Sequence, residues 1–125
     1  MALGPGTICL IEFPFTEQAA TGKVRPALVI EPLSGIYLAV SEGDRSTQQH
    51  AIFLPITSKI SPGQYNIVVD PTSPGFGSTG LLVPSTILCW KIYTIPKLLM
   101  SRTLGIAPEA LLADVRNRLR VLLSL

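Results

Sequence analysis

Charged side chains, histidine and cysteine are all scarce in this chain. Only 14% of its 125 residues are Asp, Glu, Lys or Arg, whereas 47% are apolar. One histidine and two cysteines cannot complete a four-ligand zinc site without carboxylates, and no CxxC or HExxH spacing occurs. No metal and no cofactor is therefore expected. Cys9 and Cys89 each lie inside an apolar run and read as buried free thiols. Long hydrophobic runs are also missing: none approaches the roughly 18 residues needed to span a bilayer. The start, Met1-Ala2-Leu3-Gly4-Pro5-Gly6, has neither a basic opening nor a long apolar stretch, so no signal peptide is expected. A cytoplasmic location without membrane association follows as the expectation. The length suits a single domain, residues 1–125, with a core that needs no staples. High apolarity with so few charges also suggests that a second subunit covers part of the surface.

The charges that exist are unevenly spread. From Lys91 onward Lys91, Lys97, Arg102, Arg116, Arg118 and Arg120 face only Glu109 and Asp114, while the remainder of the chain is slightly acidic. A basic final third suits contact with a polyanion, and equally an ordinary solvated helix face.

Most of the chain reads as β-structure. Thr7–Phe13 is rich in β-formers and ends at Pro14, so it predicts a first strand. Ala27–Glu31 predicts a second, stopped by Pro32, and Tyr37–Val40 a third. A polar, hairpin-like connection from Ser41 to His50 leads to a fourth, Ala51–Ile56. Asn66–Asp70, Leu81–Ser85 and Ile87–Thr94 complete the predicted strands, with a Pro/Gly/Ser-rich loop at 71–80. Trp90, inside the last of these runs, is expected in the core. A short turn is predicted from Pro96. Beyond Pro108, Leu111, Leu112, Val115, Leu119, Leu122 and Leu123 recur every three or four residues, which predicts an amphipathic helix. Its apolar stripe should pack on the sheet or on a second subunit. The expected fold is mainly β, a small antiparallel barrel with a C-terminal helix.

Two polar tips stand out against this apolar background. Arg25-Pro26 opens the run Ala27-Leu28-Val29-Ile30, and Thr57-Ser58-Lys59 closes the run Ile52-Phe53-Leu54-Pro55-Ile56. A strand end holds its backbone rigid while its tip stays wet. An arginine and a hydroxyl placed there suit a phosphate.

The order Gly6-Thr7-Ile8…Phe13-Pro14-Phe15-Thr16, Arg25-Pro26-Ala27-Leu28-Val29-Ile30 and Pro55-Ile56-Thr57-Ser58-Lys59 resembles the PemK/MazF-like toxins of toxin–antitoxin systems. So do Gly80-Leu81-Leu82-Val83-Pro84-Ser85, Lys91-Ile92-Tyr93-Thr94-Ile95, Leu104-Gly105 and the closing helix. No single piece is specific, but their shared order covers nearly the whole chain. The resemblance implies an SH3-like β-barrel, usually a homodimer, that cleaves single-stranded messenger RNA without a metal and is silenced by a cognate antitoxin. Carried over by position, Arg25 matches the catalytic arginine and Thr57 the hydroxyl residue paired with it.

Metal-free RNA cleavage employs the substrate's own 2′-hydroxyl as nucleophile. Arg25 presents a planar, permanently charged fork for phosphate oxygens, which suits stabilisation of the transition state. Thr57 can donate a hydrogen bond to a non-bridging oxygen. Relatives often carry a carboxylate shortly before the arginine. Here the nearest upstream one is Glu17, which becomes the third catalytic candidate. Ser58, Lys59, Lys23, Tyr65 and Ser85 are the candidates for RNA contact, Tyr65 through base stacking. His50 begins a strand at the end opposite Thr57 and reads as structural or surface. The alternative reading is a catalytically inactive SH3-like module that binds RNA or a peptide partner.

Overall fold

The computed structural model describes residues 4–13, 23–37 and 49–125. Its strands are β1 (Thr7–Phe13), β2 (Lys23–Tyr37), β3 (Gln49–Thr57), β4 (Asn66–Val69), β5 (Ser85–Leu88), β6 (Tyr93–Pro96) and β7 (Met100–Ile106), followed by helix α1 (Glu109–Leu123). All described pairings are antiparallel, in the order β4-β5-β3-β2-β1-β7, with β6 also on β3. The result is a curled, half-barrel sheet with one C-terminal helix. No helix among the described residues is long and apolar enough to cross a membrane.

The continuous apolar runs have a simple cause: both faces of the sheet are buried. Strand side chains alternate between faces, and the core divides accordingly. Ile8, Leu28 and Leu54 join Ile56, Ile87 and Val115 of α1 in one cluster. Their strand neighbours Cys9, Ala27, Val29 and Phe53 join Ile11, Phe13 and Ile95 in another. A strand buried on one face alone would alternate with polar residues; here alternation is lost because each face has its own cover. Each fully buried Leu, Ile or Phe contributes about 1.5–3 kcal/mol of transfer free energy. The helix stripe is seated on the sheet, with Val115 fully buried and Leu111 and Leu119 packed beside it. Leu123 remains half exposed at the end of the helix.

β1 spans the expected residues, and β3 and β4 differ from theirs by at most two residues. Elsewhere the structure corrects the sequence reading. Pro32 does not stop β2, which runs on to Tyr37 and pairs Pro32 with Ala51. The β1 ladder ends near Leu28, so beyond it β2 has a neighbour on one side, where a proline is tolerated. The pairing also shifts between Val29 and Glu31, a bulge that absorbs the irregularity. Tyr37 therefore closes β2, and residues 38–40 of the predicted third strand, with most of the predicted hairpin connection, lie outside the described residues.

Leu81–Pro84 forms no strand, and Leu82 is 94% exposed. The run Ile87–Thr94 is split into β5 and β6. From Ile56↔Ile87 to Phe53↔Tyr93, β3 advances three residues while its partner advances six. The surplus is looped out at Trp90-Lys91-Ile92, which leaves Trp90 49% exposed with the Lys91 ammonium 5.3 Å from its ring centroid. Trp90 is thus a surface residue, contrary to its apolar context.

β7 was hidden because Ser101, Arg102 and Thr103 are all exposed and give it no period-two pattern. It binds β1 at the sheet margin through a ladder with two register shifts. Against it lies a 3-10 turn, Phe76–Thr79, closed by Gly80. Gly80 has φ +73° and approaches so closely that a Cβ would collide with the Leu104 carbonyl; Gly105 meets Ser78 and Thr79 in the same way. Gly80→Ala is expected to destabilise the fold by more than about 1 kcal/mol. The check is a urea unfolding midpoint that falls at unchanged slope.

The two cysteines are free and buried. Burial pushes the Cys9 thiol up to about 12 and the Cys89 thiol up to about 11, from an ordinary value of 9.0. Because the folded state disfavours the thiolate, this contribution to stability is complete below pH 9 and is lost as the pH rises from 9 toward 12. Neither thiol should react with iodoacetamide in native protein near pH 8, and both should react after unfolding in denaturant. Rapid alkylation of the native protein would contradict the buried placement.

Candidate active site

Arg25 and Thr57 are brought to one end and one face of the sheet by strand register. β2 and β3 pair Val29↔Phe53, Leu28↔Leu54 and Ala27↔Pro55. Arg25 and Thr57 each stand two residues beyond that last pair. They therefore continue the face of Ala27, Val29 and Phe53, the one directed away from α1. On its other side Arg25 is paired with Ile11 of β1.

The β2–β3 ladder stops just here. Pro26 has no N–H to extend it, while the opposite edge of β3, which carries β6 farther back, goes on to pair Ile56↔Ile87 and Thr57↔Thr86 with β5. Arg25 and Thr57 thus flank the point where the two strands part.

Arg25 is half-buried, yet its Nε is fully buried and has no hydrogen-bond partner among the described residues. Leaving a buried donor unpaired costs about 1–3 kcal/mol, and more when it is charged. Such an atom in a native fold calls for an acceptor, and an anion would provide one. Thr57 is half-buried too. Its Oγ1 accepts a hydrogen bond from the Lys59 amide at 3.2 Å. That bond fixes the hydroxyl oxygen and leaves its proton available to donate.

The other candidates fall in different places. Ser58 and Lys59 are exposed in the loop directly after Thr57. The Lys23 backbone is paired with Phe13, two residues before Arg25 on the same strand. Glu17 lies outside the described residues. Tyr65 is half-buried in a shallow groove of about 220 Å³ with Gln64, Asn117 and Arg118, against the helix. Its backbone carbonyl accepts from the Cys89 amide at 3.0 Å.

Ser85 is 3% exposed and donates to the Val83 carbonyl at 2.9 Å. It alternates with Thr86, so it faces the helix side with Ile87 and presents no hydroxyl to Arg25. The polar residue that shares the Thr57 face is its successor Thr86, which is fully buried. Sequence reading passed over Thr86 because it fell between two predicted strands, Leu81–Ser85 and Ile87–Thr94, which β5 joins across it. His50 is buried at the start of β3, opposite Leu33 and Pro96, at the end far from Thr57. Among the described residues no three His, Cys, Asp or Glu side chains gather into a metal-holding cluster.

Comparison with known proteins gives a consistent answer. No curated protein sequence matches this one. Among solved structures the fold is similar to that of MazF from Deinococcus radiodurans, with a TM-score of 0.68 and 22% identity, covering 100% of this chain and 99% of that one. It is also similar to a MazE–MazF complex from the same organism, with a TM-score of 0.67, 25% identity and coverage of 100% and 99%. A third similar structure is the Mycobacterium tuberculosis toxin MazF-mt6, with a TM-score of 0.65, 19% identity and coverage of 95% and 97%. The family model for PemK-like, MazF-like toxins matches residues 4–123. With that match running from the turn before β1 to the last residue of α1, the chain belongs to the PemK-like, MazF-like toxins of type II toxin–antitoxin systems.

Proposed function

We propose that this toxin is a metal-independent endoribonuclease that cleaves single-stranded RNA, messenger RNA in particular, at the end of the sheet marked by Arg25 and Thr57. MazF-like toxins are endoribonucleases in general. The observation that supports this site in this chain is the Nε of Arg25, buried and without a hydrogen-bond partner among the described residues, on the same face and end of the sheet as the hydroxyl of Thr57. A phosphodiester oxygen supplies the acceptor that Arg25 lacks. As the RNA 2′-hydroxyl attacks the adjacent phosphorus, the bond to the 5′-oxygen breaks. The departing 5′-oxygen takes a proton from water, and the products are a 2′,3′-cyclic phosphate and a 5′-hydroxyl.

Charge grows on the non-bridging oxygens during this step. The Arg25 guanidinium, a planar fork of donors suited to phosphate oxygens, stabilises that charge. The proton of Thr57, left free by the bond its oxygen accepts from Lys59, is directed to the same phosphate. Ser58, Lys59 and Lys23 surround this end of the sheet and serve the RNA backbone. Glu17 is proposed to take the 2′-hydroxyl proton. Its segment leaves β1 after Phe13 and returns at Lys23, and these two residues are paired. Both ends of the segment are therefore anchored beside Arg25. Regulation by a cognate antitoxin follows the same reading, as does a homodimeric, cytoplasmic toxin.

Purified toxin incubated in EDTA with a long single-stranded RNA should yield discrete fragments with 5′-hydroxyl ends. Arg25→Ala should lower kcat/KM by about 10²-fold or more, and Thr57→Val by about tenfold or more. Intact RNA with folded wild-type protein would favour the binding-module reading instead. Glu17→Gln should reduce kcat by about 10²-fold while RNA affinity stays within about threefold, as for loss of a general base. Wild-type turnover in that variant would remove Glu17 from the mechanism.

A further inference from the structure

Thr86 holds both ends of the short loop that sets the Thr57 hydroxyl. It is the register partner of Thr57 and is fully buried in β5. Its single hydroxyl makes two bonds: Oγ1 accepts from the Ser61 amide at 3.1 Å and donates to the Lys59 carbonyl at 3.0 Å. Lys59 is thereby gripped at both of its backbone groups, since its amide donates to Thr57 Oγ1 at 3.2 Å. The loop is also tied down beyond Ser61. Asn66 Nδ2 donates to the Ser61 carbonyl at 2.7 Å. Arg118 of α1 donates from Nη1 to the Gln64 carbonyl at 2.8 Å and to the Asn66 carbonyl at 3.1 Å. A continuous path of hydrogen bonds thus runs from the helix through Asn66, Ser61, Thr86 and Lys59 to Thr57.

We infer that Thr86 is a positioning residue for the reaction: its buried hydroxyl fixes the Lys59 peptide and, through it, the orientation of the Thr57 hydroxyl toward the phosphate. The inference rests on the proposed site at Arg25 and Thr57. Thr86 touches no substrate in this scheme. It acts because a hydroxyl that must donate in a transition state gains from being held in one direction beforehand. A valine in its place keeps the shape and loses both bonds, whereas a serine keeps both bonds and loses one methyl group. A purely packing role for Thr86 would rank these two substitutions in the opposite order.

The test combines turnover on single-stranded RNA with amide hydrogen exchange for wild type, Thr86→Val and Thr86→Ser. Thr86→Val should lower kcat by about tenfold or more with KM within about twofold, and Thr86→Ser should stay within about threefold of wild type. The Ser61 amide should be protected in the wild type, and Lys59 and Ser61 should exchange about tenfold faster in Thr86→Val. Wild-type kcat in Thr86→Val, or a Thr86→Ser as slow as the valine variant, overturns the inference. So does a wild-type Ser61 amide that exchanges like an unstructured peptide, a result that stands even if the valine variant fails to fold. If wild-type protein leaves RNA intact, the reading of the site fails separately and exchange alone decides on Thr86. Acceleration at Lys59 then upholds the positioning, and unchanged exchange overturns it.

Discussion

The end of the sheet that carries Arg25 and Thr57 depends on one constraint: β3 cannot stay with β2 past Pro55. Pro26 removes the donor that would continue that ladder, while the far edge of β3 goes on to pair Ile56 and Thr57 with β5. Two strands that are tightly packed through Ala27 and Phe53 therefore separate within a few residues. Beyond the last pair the apolar sheet gives way to the half-buried Arg25 and Thr57. There the Arg25 Nε is buried without a hydrogen-bond partner among the described residues. A fully zipped sheet would give that position a strand neighbour and no room for a ligand.

The apolar body of the protein serves this arrangement mechanically. Because both faces of β1, β2 and β3 are covered, a one-residue slip of any of them would exchange two cores at once. Register is thus fixed with more authority than in a sheet with one wet face. That precision is handed to Arg25 and Thr57, which sit only two residues from the last packed pair. It reaches the loop at Ser58–Ser61 through hydrogen bonds rather than through packing.

The sequence showed clearly whatever rested on local pattern. β1 is a β-branched run closed by a proline, and α1 has a stripe of leucines at helical spacing; both appear where that chemistry places them. What depends on distant neighbours was obscured. Pro32 is harmless only because β1 has already ended, and Trp90 is exposed only because three residues between β5 and β6 find no counterpart on β3. β7 carries exposed polar residues and gains its identity as a strand from β1 alone. Arg25 and Thr57 were legible as polar tips and through family likeness, but their shared face emerges from the pairing of Ala27 with Pro55. Ser85 and Thr86 show the limit most sharply. The two hydroxyl residues are adjacent, and only the pairing with β5 tells which one faces Thr57.

Among the described residues, this sheet of apolar strands ends on β4 and β7, and unpaired backbone at such margins invites pairing with other chains. Here each margin is blunted. β4 is only four residues long. β7, at the other end of the order, is bent by two register shifts and lined with Ser101, Arg102 and Thr103. The same polar residues that hid β7 in the sequence make it a poor template for a further strand. A chain with 47% apolar residues can thus keep its greasiest segments in the middle of the sheet and end on strands that discourage edge-to-edge growth.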